Sequence, residues 1–191
     1  MTNLTYAGIG TRQPEPHHAD SIDLIARYLA RWGYVVHSGA ADGTDQLFST
    51  SALMYGGSTV LHLPWQNHAD EYLSDLDENQ LKRVDVRVLQ SKKNRRDQEA
   101  FASVERYHPR PDKLTWGARL LHARNYRIIV PEQAVSFVIA LPAVVSGKAT
   151  GGTMQGIRLA EQLGVPVVRL DQLSHDQAMD QIKSLSSGLW R

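Results

Sequence analysis

Short apolar runs alternate with amphipathic stretches along most of this 191-residue chain, and this alternation restricts the folds open to it. The apolar runs are residues 4–8, 34–37, 59–63, 135–141 and 165–170. Between them, apolar residues recur at three- and four-residue steps, which is the period of one helix face. Alternating strands and helices are typical of a parallel sheet. The sequence therefore predicts an α/β fold: a Rossmann-like, doubly wound, mainly parallel sheet with helices on both faces.

The predicted helices include a first one that ends at Gly33 and others over residues 46–55, 115–130, 154–163 and 174–186. Residues from about 66 to 111 break the rhythm, because they are polar, charged and poor in β-branched runs. We interpret them as a mostly helical insertion after the third strand, within a single domain of residues 1–191.

This insertion contains a basic cluster. Its members are Lys82, Arg83, Arg87, Lys92, Lys93, Arg95 and Arg96. Such a cluster is either a solvated face or a surface for nucleic acid or phosphate, and the sequence leaves both open.

Three glycine-bearing loops follow apolar strands and precede helices, at residues 8–12, 38–45 and 146–153. In a parallel sheet all three lie at the carboxyl edge, where open α/β sheets bind ligands. Glycine permits sharp turns, and free N–H groups in a helix's first turn favour anions. We therefore predict a cleft for a phosphorylated or ribose-bearing ligand. The candidate ligand-binding residues are Gly8, Gly10, Thr11, Arg12, Ser38, Gly39, Asp42, Gly43, Asn125, Gly151, Gly152 and Thr153.

Two acidic residues lie in the second loop. Asp45 is placed to cap the following helix. Asp42 has less structural reason to be acidic, and we interpret it as a hydrogen-bond acceptor for ribose hydroxyls or a base edge. The third loop, residues 146–153, is predicted to be flexible. His17, His18, His62 and His68 have no regular metal-binding spacing, so we predict no metal site and no cofactor.

The composition narrows the class of protein. The chain has no cysteine, which excludes disulfides and cysteine ligands and fits a reducing compartment. No apolar run reaches the roughly 18 residues that span a membrane, and no signal-peptide pattern begins the chain, so we expect a cytoplasmic protein. A net charge of +1 does not require a nucleic-acid partner. Trp65, Trp116 and Trp190 suit the interface of a homo-oligomer, although each also suits a core.

Four stretches taken together resemble a known superfamily. They are Gly8-Ile9-Gly10-Thr11-Arg12, Ser38-Gly39-Ala40-Ala41-Asp42-Gly43-Thr44-Asp45, Ala123-Arg124-Asn125-Tyr126-Arg127-Ile128-Ile129 and Gly151-Gly152-Thr153. Their order and content are similar to the SLOG superfamily, which groups the Smf/DprA DNA-processing proteins with the LOG proteins on a Rossmann-like nucleotide-binding fold. The resemblance covers residues 4 to about 170 apart from the insertion, and it is greatest to small stand-alone members, which are often phage-encoded.

The two branches of the superfamily imply different functions. Smf/DprA members bind single-stranded DNA and have stretches similar to residues 38–45 and 124–129, from which Thr44 and Tyr126 depart. LOG members are phosphoribohydrolases, and the resemblance makes Arg124 the equivalent of their arginine. Their glutamate has no counterpart here, because Gly156 takes its place with Gln155 beside it.

The resulting hypothesis is a nucleotide-binding protein with phosphate on the amides of residues 8–12 and 151–153. If it is an enzyme, we expect hydrolysis of an N-glycosidic bond, with Asp42 or Asp45 replacing the missing glutamate and Arg124 holding phosphate. The alternatives are a single-stranded DNA-binding accessory protein and a binder that sequesters a nucleotide signal without turnover.

Arg124 is expected to matter more for the ligand than for the fold. Replacing it with lysine keeps the charge but loses the planar fork, so nucleotide binding should weaken while the melting temperature changes little. A guanidinium buried against Asp42 or Asp45 predicts the reverse, a large loss of stability.

Overall fold

The computed structural model describes residues 4–89 and 94–187 of the chain. The strands are β1 (Thr5–Gly10), β2 (Val35–Ser38), β3 (Ser58–Leu63), β4 (Val84–Val88), β5 (Phe137–Leu141), β6 (Ala143–Val145), β7 (Lys148–Thr150) and β8 (Val167–Arg169). The helices are α1 (Pro16–Arg31), α2 (Thr44–Met54), α3 (Asp70–Ser74), α4 (Glu78–Leu81), α5 (Arg95–Tyr107), α6 (Trp116–Ile129), α7 (Gly152–Gln162) and α8 (His175–Ser187), with a 3-10 helix at Pro111–Lys113. None of these helices combines the length and the apolar character needed to cross a bilayer.

Six of the strands form one sheet in the order β4-β3-β2-β1-β5-β8, and every neighbouring pair is parallel. From β1 the chain moves outward through β2 and β3 to β4, and then returns to the other side of β1 as β5. The strand order therefore reverses between β1 and β5, which is where open α/β sheets bind ligands. The predicted Rossmann-like, doubly wound parallel sheet is confirmed.

Successive side chains of β1 point into two separate buried layers, as the pleat of a strand requires. Tyr6 packs in a layer with Phe137 and with side chains from α1, α2 and α8. Ala7 and Ile9 pack in the other layer, with side chains from α6 and α7. Helices therefore cover both faces of the sheet, and β5 is buried along its whole length.

The sequence pattern explains how α1 forms and where it ends. Pro16 occupies the first turn, where a missing N–H is harmless. A buried stripe faces the sheet at helical spacing: Ile22, Ile25, Ala26 and Leu29. Gly33 follows the helix with φ +76°, a conformation that glycine adopts without strain, so the predicted end of this helix is confirmed.

The insertion is mostly helical, as predicted, but it also contributes a strand that the sequence analysis did not predict. β4 pairs in parallel with β3, from Thr59 opposite Val84 to Leu63 opposite Val88. It forms one edge of the sheet, where charged side chains are common. Asp85 and Arg87 alternate with valines in this strand, and these charges obscured a short strand pattern.

Residues 146–153, predicted as a loop, instead contain a hairpin turn, strand β7 and the start of α7. β6 and β7 pair antiparallel as a hairpin, and its turn contains Ser146 at φ +50° and Gly147 at φ +74°. Gly151 then leads directly into α7, which begins at Gly152. The hairpin was missed because each of its strands has only three residues, too few to show alternation.

Candidate functional site

A cleft of about 700 Å³ opens at the carboxyl edge of the sheet, where Gly10 at the end of β1 lies opposite Leu141 at the end of β5. Its walls come from the segments after β1, β2 and β5, from α6 and from the start of α7. The predicted site residues that line it are Gly10, Thr11, Arg12, Asp45, Arg124, Asn125, Gly151, Gly152 and Thr153. Residues from all three glycine-bearing loops therefore line the same cleft.

Three predicted glycines lie behind the lining and shape it from there. A Cβ atom at Gly8 would collide with the Phe48 ring, and one at Gly43 would collide with the backbone of Arg12. Gly43 also has φ +79°, which disfavours any residue with a side chain. A Cβ atom at Gly39 would occupy the position of the Arg124 guanidinium. These glycines permit close packing of protein on protein rather than of protein on ligand.

The two polar residues predicted in the second loop also lie outside the lining. The buried Ser38 hydroxyl donates to the carbonyl oxygen of Gly8 at 2.8 Å, which joins the end of β2 to β1. Asp42 is exposed, and its carboxylate accepts a hydrogen bond from Gln46 Nε2 at 3.2 Å. The geometry thus gives the interpretation of Asp42 as a ribose acceptor no support.

Arg124 and Asp45 form a buried ion pair in the cleft wall. Arg124 Nη1 lies 3.3 Å from Asp45 Oδ2, and the two side chains are only 6% and 5% exposed. The backbone N–H of Gly10 donates to Asp45 Oδ1 at 3.0 Å. Burial raises the pKa of Asp45, while the Arg124 guanidinium and the Gly10 N–H oppose that shift. Asp45 does not cap α2, whose N-cap is Gly43 without a side-chain hydrogen bond, so that prediction was wrong.

The start of α7 presents free donors to the cleft. Gly151 occupies the N-cap position and no side chain caps this end, and the first turn contains no acidic residue. Gly152 and Thr153 line the cleft immediately after it. Asn125 Nδ2 donates to the carbonyl oxygen of Gly152 at 3.3 Å, which fixes α7 against α6. Unpaired N–H groups at the start of a helix attract anions.

Buried donors without partners lie in the same wall. Arg124 Nε and Gln155 Nε2 have no hydrogen-bond partner among the described residues, although the two residues are only 5% and 2% exposed. A buried donor without a partner is costly, by about 1–3 kcal/mol. Arg12 and Arg158 also line the cleft, and neither forms an ion pair with a carboxylate of the described chain. The cleft is therefore suited to a ligand rich in acceptors and negative charge.

Two histidines complete one side of the cleft. The ring centroids of His108 and His122 lie 4.7 Å apart, with the rings tilted by 50°. Burial lowers the pKa of His122, His108 and Arg124 lower it further, and the neighbouring Gln155 side chain opposes these effects. His122 is therefore neutral near pH 7.

The sequence analysis did not assign His108, His122, Gln155 or Arg158 to the site, although all four line the cleft. A helical pattern was available for part of this set, because residues 118, 121, 122 and 125 lie on one face of α6. His108 had no such signal, since it follows α5 in the insertion and meets the cleft only through the packing of α5 on α6.

Solved structures of several proteins share this fold. DNA processing protein A from Helicobacter pylori, which binds single-stranded DNA, has 23% identity and a TM-score of 0.59, covering 88% of this chain and 65% of that one. DprA from Streptococcus pneumoniae has 21% identity and a TM-score of 0.57, covering 95% and 56%. The Moco carrier protein of Chlamydomonas reinhardtii has 12% identity and a TM-score of 0.56, covering 97% and 99%. The chain therefore spans less than two thirds of either DprA protein.

The family model for DNA recombination-mediator protein A matches residues 1–77, which include β1, β2, β3 and the first two glycine loops. Over these residues the chain is similar to the family of DNA recombination-mediator protein A. No curated protein matches it. Two of the four stretches that resemble SLOG proteins lie within the matched residues, and the fold is the Rossmann-like one that the resemblance implies.

The position expected for the LOG glutamate does not face the cleft. Gly156 is buried against β1, and a Cβ atom there would lie 2.8 Å from Ile9 Cδ1. The neighbouring Gln155 lines the cleft instead, and its Oε1 accepts a hydrogen bond from Asn125 at 3.2 Å. Among the described residues, the carboxylate lining the cleft is that of Asp45, which Arg124 already holds.

The basic cluster is partly neutralised where the structure describes it. Arg87 Nε lies 2.8 Å from Asp85 Oδ2, and Arg96 Nη1 lies 3.3 Å from Glu132 Oε1. Arg83 donates to the carbonyl oxygen of Gly57. Lys92 and Lys93 lie outside the described residues. These contacts give a solvated face more support than a continuous cationic track.

Two further predictions concern residues away from the lining. Glu15, His17 and His18 at the start of α1 hold potential metal-ligand atoms within 4.8 Å of one another, a grouping that the sequence analysis did not predict.

Trp65 and Trp116 are 42% and 55% exposed, whereas Trp190 lies outside the described residues. The homo-oligomer stays a prediction.

Proposed function

We propose that this protein binds a nucleotide in the cleft, with the phosphate at the start of α7. The observation that supports this most is the convergence of an uncapped helix N-terminus with the buried, unpartnered Nε of Arg124. Amides at a helix start and a guanidinium both bind phosphate oxygens through charge-assisted hydrogen bonds. A bound phosphate would accept hydrogen bonds both from the amides at the start of α7 and from Arg124.

The charge of the lining favours the same class of ligand. Arg12, Arg124 and Arg158 face the cleft, and Asp45 is the opposing carboxylate among the described residues. Because Asp45 is committed to Arg124, the other two guanidinium groups keep a net positive potential over the opening. A phosphorylated ligand fits this potential better than a neutral one.

Turnover by N-glycosidic hydrolysis has less support than binding alone. Such a reaction needs a carboxylate beside the sugar, to stabilise the oxocarbenium-like centre or activate water. Asp42 is exposed outside the lining, and Asp45 is held by Arg124 and Gly10. We therefore favour a binder that retains its nucleotide over the hydrolase, and free base released from a panel of nucleoside monophosphates would reverse that preference.

The phosphate site is tested by changing one donor at the start of α7. Proline is favoured in the first turn of a helix but lacks an N–H, so Gly152→Pro removes a donor without removing α7. Gly152→Ala is the matched control, since it keeps the N–H and its Cβ has no atom within 4 Å. We expect Gly152→Pro to weaken nucleotide binding by about 1.5–3 kcal/mol, the range for hydrogen bonds to charged groups.

Isothermal titration calorimetry with nucleoside monophosphates measures this difference, and thermal melting checks that both variants are folded. Equal affinities for the proline and alanine variants would exclude the start of α7 as the phosphate site. No binding by the unchanged protein would exclude the proposed function.

Single-stranded DNA binding is the second candidate, favoured by the family match over residues 1–77. If the protein uses several phosphate contacts, its affinity for an oligonucleotide should fall by roughly an order of magnitude per few contacts between low and moderate salt. Fluorescence anisotropy with a labelled oligonucleotide measures this dependence. An unchanged anisotropy at low salt and micromolar protein would remove this candidate.

A further inference from the structure

The insertion contributes a wall to the cleft whose chemistry differs from that of the phosphate end. His108 and Pro109 follow α5, and Ala118, Leu121 and His122 lie on the facing side of α6. Three of these side chains are apolar and two are imidazole rings. In contrast, the start of α7 brings Gly151, Gly152 and Thr153 to the cleft, and Arg12 lines it after β1. The cleft therefore combines a polar surface at the start of α7 with an apolar and aromatic surface at the insertion.

The geometry points to a subsite for a planar heterocyclic ring at His108, Pro109, Ala118, Leu121 and His122. A nucleotide bound in this way has its base against the insertion and its phosphate at the start of α7. This inference rests on the proposed function. Nucleobases stack on aromatic side chains, including histidine, and on apolar surface.

Two observations fix the imidazole rings in place for stacking. The backbone N–H of Arg110 donates to His108 Nδ1 at 3.2 Å, which orients that ring and leaves its proton on Nε2. His122 is held 4.7 Å from it, centroid to centroid. Stacking on rings that are already ordered loses less conformational entropy on binding.

The edge of a bound ring would also find polar groups. Gln155 Nε2 is a buried donor beside His122 and has no partner among the described residues. His122 Nδ1 is likewise buried and without a partner there, and it donates or accepts according to the tautomer of the ring. Nucleobases present ring nitrogens and carbonyl oxygens at their edges, whereas a bare sugar phosphate offers nothing at this end.

The spacing along α6 suits a nucleotide. Asn125 is hydrogen-bonded to the start of α7, so it marks the phosphate end. Leu121 and Ala118 lie four and seven residues before it, which is about 6 and about 10 Å along a helix. A ribose separates phosphate and base over that interval.

The experiment compares two probes, ribose 5-phosphate and the four common ribonucleoside 5′-monophosphates, by isothermal titration calorimetry. We expect the unchanged protein to bind at least one nucleotide about 10-fold more tightly than ribose 5-phosphate, within the range of one stacked base. His108→Ala and Leu121→Ser should each remove most of that difference and leave the affinity for ribose 5-phosphate within about twofold, which also shows that the variant is folded.

Lys113→Ala is the matched control, because Lys113 is exposed in the segment that joins α5 to α6 and does not line the cleft. It should behave as the unchanged protein. Equal affinity of the unchanged protein for ribose 5-phosphate and for every nucleotide overturns the ring subsite but not the phosphate site. Equal losses for both probes in His108→Ala and Leu121→Ser overturn it too. Absence of binding by either probe overturns the proposed function and the subsite together.

Discussion

Arg124 joins three segments of the cleft through a single buried guanidinium. It pairs with Asp45 from α2, it occupies the space that Gly39 leaves open, and its side chain lines the cleft. Arginine cannot give up its proton in a protein, so this charge stays in the wall under all ordinary conditions. The residue therefore contributes to the fold through this ion pair, which favours the alternative of a structural arginine buried against Asp45.

At this scale we predict that Arg124→Met destabilises the protein strongly. The substitution leaves the Asp45 carboxylate buried beside the Gly10 N–H without its counter-charge, a loss of about 3–5 kcal/mol. Urea unfolding measures it, and Arg158→Met is the control because Arg158 is exposed. A loss below 1 kcal/mol in Arg124→Met would show that the ion pair adds little to stability.

Residue roles were predicted unevenly from the sequence. The glycine loops predicted the edge of the sheet at which the cleft lies, and most residues of the first and third loops line it. Ser38, Gly39 and Gly43 of the second loop were predicted to contact the ligand but contact other segments of the protein. Glycine and serine give the same sequence pattern in both cases. Gly39, for example, packs against the guanidinium of Arg124, a residue far from it in the sequence. Only tertiary contacts distinguish these cases.

At the scale of elements, α7 packs closely on β1 because position 156 has no side chain. A Cβ there would come within 2.8 Å of Ile9 Cδ1. One residue along a helix turns the side chain by about 100°, so Gln155 lines the cleft whereas position 156 faces the sheet. Strand β4 could not be predicted for a different reason. It lies at the edge of the sheet, where its charged side chains are exposed and hide the strand pattern.

We predict that Gly156→Val destabilises the protein by about 1–3 kcal/mol through overpacking, as α7 is displaced from the sheet. The matched control is Gly117→Ala in α6, where an added Cβ meets no atom within 4 Å. That change should be neutral or stabilising by up to about 1 kcal/mol, because alanine favours helix. Thermal and urea unfolding compare the two, and equal stabilities would show that the α7 contact adapts without loss.

At the scale of the whole molecule, a buried histidine pair links stability to pH. His37 Nδ1 and His62 Nε2 lie 3.0 Å apart in adjacent strands β2 and β3, and the residues are 4% and 1% exposed. Burial lowers the pKa of His37 to about 4 and holds the pKa of His62 well below its ordinary value. Arg87 also lowers the pKa of His37, whereas Asp85 and Glu132 oppose this.

The unfolded chain therefore binds more protons than the native protein between about pH 6.5 and pH 4. Stability is retained above about pH 6.5 and decreases as the pH falls through this window, by up to about 1.4 kcal/mol per pH unit for each proton. Urea unfolding from pH 4.5 to 7.5 measures the slope. Replacing His62 with asparagine should reduce the slope, whereas replacing the exposed His17 should not; equal slopes would contradict this assignment.

The strand order also determines when the cleft exists during folding. Arg124 and Asp45 are 79 residues apart in the sequence. The family model ends at residue 77, so one wall of the cleft comes from the matched segment and the other from residues after it. A fragment ending there would contain Asp45 but neither Arg124 nor α7, and so would have half a cleft. Since both halves of the sheet must dock before the walls meet, recovery of ligand binding in a refolding experiment should never precede recovery of the native core.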